Sequence, residues 1–150
     1  MKLRTSVLAA ALTASLFTTL TFATPEKSSA TRNVATPAKS ETLPSGVVVE
    51  HLVAGKGASP KATDSVKVHY RGTLASGVEF DSSYKRGEPI SFGLNQVIPC
   101  WTQGVQKLKI GGKAKLTCPS VTAYGERGAG SAVPPNSVLT FDVELLGINN

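Results

Sequence analysis

"PCWTQGVQKL", Pro99 to Leu108, is the stretch on which the fold turns. Trp101, Val105 and Leu108 recur at helical spacing, Pro99 suits a first helical turn, and Gly111 and Gly112 stop the helix soon after Leu108. The runs on either side keep the two-residue period of strands. In "SVKVHYRGTL" (65–74), Val66, Val68 and Tyr70 point one way and Lys67, His69 and Arg71 the other. "KAKLTC" (113–118) puts Ala114, Leu116 and Cys118 on one side, and "SVLTFDVELLG" (137–147) does the same with Leu139, Phe141, Val143 and Leu145. "GVVVEHLV" (46–53) is rich in β-branched residues and precedes a Gly- and Pro-punctuated loop. One amphipathic helix lying across an antiparallel sheet follows, an α+β architecture. Trp101, the single tryptophan, sits at the start of that helix on its inward face.

The N-terminal third is of a different kind. Lys2 and Arg4 precede an uncharged run from Thr5 to Ala23 that ends in small residues, the pattern of a signal peptide cleaved after Ala23. A transmembrane anchor is the competing reading; the threonines and serines in the run, and the lack of a basic cluster after it, favour the cleaved signal. Residues 24–45 are rich in Ser, Thr, Ala, Pro and Lys, with almost nothing bulky to bury, so a flexible linker is expected there. The folded domain is then 46–150, a common domain size. Loss of Lys2 and Arg4 lowers the formal charge from +6 to +4. The Lys and Arg residues are spread rather than gathered on one face, which argues against nucleic-acid binding.

Six of the seven aromatics that remain after residue 23 lie inside short motifs: "VHYRG", "EFDSS", "ISFGL", "VIPCW", "AYGERGAG" and "LTFDVELL". In this order and spacing they strongly resemble the FKBP family of peptidyl-prolyl cis–trans isomerases, over about residues 44–150. The resemblance implies a strongly twisted antiparallel sheet wrapped around one short helix. It also implies a pocket with Trp101 as floor, Tyr70, Phe80, Phe92 and Phe141 as walls, and Val97 and Ile98 beside them. Asp81 and Tyr124 would supply the polar groups and, with Phe80, the catalytic set, and "GERGAGSAVPPN" would overhang the site. The implied activity is isomerisation of X-Pro bonds in exported proteins, in the periplasm or outside the cell. It needs no cofactor or metal, and its partners would be proline-containing polypeptides and rapamycin-type macrolides. An FKBP-like chaperone or binding module without useful turnover would use the same pocket. Residues 24–45 are too short and polar for the helical dimerisation arm of some bacterial members, so a monomer without a stable membrane anchor is expected. Cys100 stands where many relatives have glycine.

Two other chemistries fit less well. A cysteine hydrolase built from Cys100, His69 and Asp81 needs an imidazole beside the thiolate, and His69 alternates away from Tyr70 toward water. Two cysteines and two histidines show no paired metal-ligand spacing. An even cysteine count in an exported chain instead suggests a bond between Cys100, at the helix start, and Cys118, on the strand face that the helix should cover. A pair of buried free thiols is the alternative.

Overall fold

The apolar members of each alternating run meet on one side of a single sheet, and their polar neighbours face outward. The computed structural model describes residues 39–149. Its strands are β1 (Lys39–Thr42), β2 (Val48–Val53), β3 (Ser65–Leu74), β4 (Glu79–Ser82), β5 (Ile90–Gly93), β6 (Lys113–Cys118) and β7 (Leu139–Asn149). Helices α1 (Ser83–Arg86) and α2 (Pro99–Val105) and a 3-10 turn at Ser120–Thr122 complete the set. The order across the sheet is β1-β2-β6-β7-β3-β4, every pair antiparallel, and β5 joins the same edge of β3 as β4. β4 takes the end of β3 from Arg71 to Thr73, and β5 takes the start from Ser65 to Val68.

The inward face carries Val66, Val68 and Tyr70 of β3, Ala114, Leu116 and Cys118 of β6, and Leu139, Phe141, Val143 and Leu145 of β7, all buried. Where β3 pairs with β7 the register jumps from Lys67↔Gly147 to Val68↔Leu145, leaving Leu146 as an extra residue. A bulge of this kind bends its strand and increases local twist. Helix α2 lies on the inward face through Trp101, Val105 and the buried Leu108 that follows it, each such side chain contributing roughly 1.5–3 kcal/mol of burial. The approach is close because Gly104 has no side chain. A Cβ there would stand 2.9 Å from both methyl groups of Leu116.

Two expectations are corrected. The helix ends at Val105, short of Leu108, because Lys107 and Leu108 donate to Gly104 and Val105 and the last turn tightens. It remains the one amphipathic helix among the described residues, and the four-residue α1 and the 3-10 turn beside it are each too short to show a period. The linker assignment fails for residues 39–45. There β1 pairs with β2 from Lys39↔His51 to Thr42↔Val48, Glu41 pairs with Lys107 at 3.0 Å, and Leu43 is buried. Backbone pairing holds a strand whose own side chains are mostly exposed. The signal peptide at 1–23 and the rest of the linker, 24–38, lie outside the described residues. Among the described residues no helix is long and apolar enough to cross a membrane.

A candidate active site on the inward face

Trp101, in the first turn of α2, is 3 % exposed and meets three rings edge to face. Its centroid lies 5.2 Å from Tyr70, 5.5 Å from Phe92 and 5.4 Å from Phe141, with interplanar angles of 83°, 84° and 88°. Such edge-on pairs each contribute about 0.5–1.5 kcal/mol beyond area burial. They fix the indole as a floor, with three upright walls donated by β3, β5 and β7. Phe80 of β4 extends the wall, 5.7 Å from Phe141 at 85°. Gly72 of β3 lets these two rings close over the strand, since a Cβ there would come within 2.7 Å of Phe80 and 2.9 Å of Phe141.

The rings enclose a cavity of about 560 Å³. All eight residues expected in the pocket line it, Tyr70, Phe80, Phe92, Val97, Ile98, Trp101, Tyr124 and Phe141, and so does Asp81. Val97 and Ile98 come from the connection between β5 and α2, where the Ile98 carbonyl accepts from the N–H groups of Trp101 and Thr102. Tyr124 stands exposed at the rim, after the 3-10 turn. Its loop is held by hydrogen bonds from Gly125 to Ser120 and from Asn136 to Gly125, both 2.8 Å.

The polar side is a closed trio. The Tyr70 hydroxyl donates to Asp81 Oδ2, Arg86 Nη1 donates to Asp81 Oδ1 at 2.7 Å, and Arg86 Nη2 reaches the Tyr70 oxygen at 3.0 Å. Burial alone would push the Asp81 carboxyl up, but the hydrogen bonds from Tyr70 and Arg86 and the guanidinium charge outweigh it and hold it below its ordinary value. Burial and the bond to Asp81 raise the Tyr70 phenol, and the hydrogen bonds that Arg86 makes to Tyr70 and to Asp81 raise its guanidinium. Near neutral pH the trio is therefore phenol, carboxylate and guanidinium, with no proton ready to move.

Arg86, Ile90 and Gln96 also line the cavity, and sequence reasoning missed them. A signal existed for Arg86. It follows Asp81 by five residues and closes a short helix capped by the left-handed Gly87, so the chain folds back toward the carboxylate. Tyr84, the aromatic outside the six motifs, is not in the cup. It stacks on His69 at 4.7 Å and hydrogen-bonds Glu144. His69, expected in water, is half-buried under that ring, with Nδ1 2.9 Å from Ser83 Oγ. Cys100 and Cys118 are joined, their Cα atoms 5.6 Å apart, so neither is a thiol nucleophile.

Residues 56–146 match the sequence profile of the FKBP-type peptidyl-prolyl cis-trans isomerases. The FKBP-type peptidyl-prolyl cis-trans isomerase FkpA of Aeromonas hydrophila is 61% identical over 104 residues, covering 69% of this chain and 38% of that protein. FK506-binding protein 1 of Candida glabrata is 49% identical over 113 residues, covering 73% of this chain and 99% of that protein. The crystal structure of FkpA from Escherichia coli matches with a TM-score of 0.71 at 52% identity, covering 73% of this chain and 51% of that one. This chain thus spans about two fifths of the length of the curated FkpA proteins. With the aromatic cup, the sheet order and the profile match all falling on the same hundred residues, the chain belongs to the FKBP-type peptidyl-prolyl cis-trans isomerase family.

Proposed function

We propose that the cavity catalyses cis–trans isomerisation of X-Pro bonds in polypeptides by binding the twisted amide more tightly than the planar one. Amide resonance sets a barrier of about 18–20 kcal/mol, and uncatalysed exchange takes roughly tens to hundreds of seconds. No bond has to break, so the site needs shape and a preference for the unconjugated amide. The observation that carries this reading is the Trp101 floor between three perpendicular rings, an apolar slot shaped to hold a proline ring.

Tyr124 at the rim donates its hydroxyl to a substrate carbonyl and holds one side of the bond while the other turns. Asp81 is already committed to Tyr70 and Arg86, which favours an orienting and electrostatic role for it over general-base chemistry. The substrates are proline-bearing segments of exported proteins, following the N-terminal pattern of residues 1–23, and macrolides of the FK506 and rapamycin type compete for the cup. A short peptide with one X-Pro bond, followed with and without rapamycin, tests the reading. Catalysed exchange that one equivalent of the macrolide abolishes supports it. Tight peptide binding with no acceleration would leave a binding module instead.

A further inference from the structure

The floor and the rim of the cup are joined by one covalent link. Cys100 immediately precedes Trp101 in the first turn of α2, and Cys118 ends β6, six residues before Tyr124. Both cysteines are fully buried. On the rim side, the Pro119 carbonyl accepts from the N–H and the hydroxyl of Thr122, and the Ser120 carbonyl accepts from Ala123 and Gly125. The backbone from Cys118 to Tyr124 is thereby one locally bonded unit. On the floor side, α2 has only seven residues, no side-chain cap at Ile98 and no acidic residue in its first turn. A helix this short has little stability of its own. One turn further on, Gly104 lies against Leu116, whereas the first turn is tied covalently to β6 at Cys100, alongside the rings around Trp101 and the 2.6 Å bond from the Thr102 hydroxyl to the Leu94 carbonyl.

We propose that the Cys100–Cys118 cystine is a positioning element of the pocket, so that its oxidation state sets how well the cup binds an X-Pro segment. This rests on the isomerase reading above. Reduction by a small dithiol breaks the S–S bond. Two electrons and two protons pass to the two cysteine sulfurs, and the dithiol closes to its own disulfide. The sulfurs then move from a bond of about 2 Å to nonbonded contact at roughly 3.5–4 Å. In a packed interior that separation has to be taken up by the first turn of α2 or by the 119–124 segment, and either displaces a pocket residue. Misplacement on the order of 1 Å at a reacting centre is enough to cost up to about a hundredfold in rate.

The test compares the oxidised chain, the same chain held reduced by dithiothreitol, and the double variant C100A/C118V, all at 10 °C with folding checked by circular dichroism. The readouts are kcat and KM for an X-Pro peptide and amide hydrogen exchange at residues 98–102 and 119–125. The inference expects a folded reduced protein with KM raised about threefold to tenfold and exchange in those two segments accelerated well beyond that in β7, which follows global stability alone. The double variant should match the reduced protein and ignore the dithiol. Equal KM, kcat and exchange in the oxidised and reduced forms overturns the inference, as does unfolding of the reduced protein at 10 °C, since the bond then holds the fold rather than the pocket. An oxidised chain with no isomerase activity sinks the isomerase reading instead, and hydrogen exchange still reports whether the cystine fixes floor and rim.

Discussion

Gly72→Ala adds one methyl group to β3 and puts it into the pocket wall. The position has an ordinary backbone conformation, so alanine brings no strain of its own. Its Cβ would, however, lie 2.7 Å from Phe80 and 2.9 Å from Phe141, against ordinary carbon contacts of about 3.5–4.0 Å. Both rings must therefore retreat by about 1 Å. Phe141 is buried, but Phe80 is half-buried and both border the cavity, so the escape route is into the pocket. If the rings could not move, overpacking would cost about 1–3 kcal/mol of stability. Because they can, most of the cost should appear in catalysis. We expect kcat/KM for a short X-Pro peptide to fall roughly tenfold to a hundredfold, about 1.4–2.8 kcal/mol of transition-state binding, with less than about 1 kcal/mol lost in urea unfolding. An active variant within twofold of the parent would show that the spacing of this wall does not set the rate.

Tyr124→Phe keeps the rim ring and removes one donor worth about 0.5–1.5 kcal/mol, so stopped-flow assays should show a loss of about tenfold or less. Asp81→Asn should slow the reaction without abolishing it, whereas Phe141→Ala opens the cup and should be more damaging than either. For acid stability the sign is set by the depressed Asp81 carboxyl. Its contribution is present above the unfolded pKa and is lost as the pH falls through the lower folded one, so urea midpoints for the parent and Asp81→Asn should differ near neutrality and converge once the pH is well below the ordinary carboxylate range. Reduction of the cystine, which closes a loop over a sequence separation of 18, should lower stability by about 3 kcal/mol by loop entropy.

The alternating runs were legible because each buries one face. Val66, Val68 and Tyr70 of β3 and the four apolar residues of β7 are buried, as their two-residue period required. Trp101 announced the helix face in the same way. β4 and β5 were not legible as strands, since four residues hold too few alternations, and both are strands because β3 offers them an edge. β1 was misread for a related reason: its stabilising partner is the backbone of β2, which composition does not record. In the site, the aromatic positions could be read from their motifs. The commitment of Asp81 to Arg86 and Tyr70 could not, because it depends on a four-residue helix turning the chain back on itself.

The central claim is that X-Pro rotation is speeded here without proton transfer, and the solvent isotope effect on kcat/KM tests it most directly. Measured on the oxidised chain at matched pH and pD between 6 and 9, the ratio of rates in H2O and D2O should stay near one, with a nearly flat profile, because Asp81 remains a carboxylate and Tyr70 a phenol across that range. A ratio of about two or more, or a bell-shaped profile of the kind an acid–base pair produces, would contradict it.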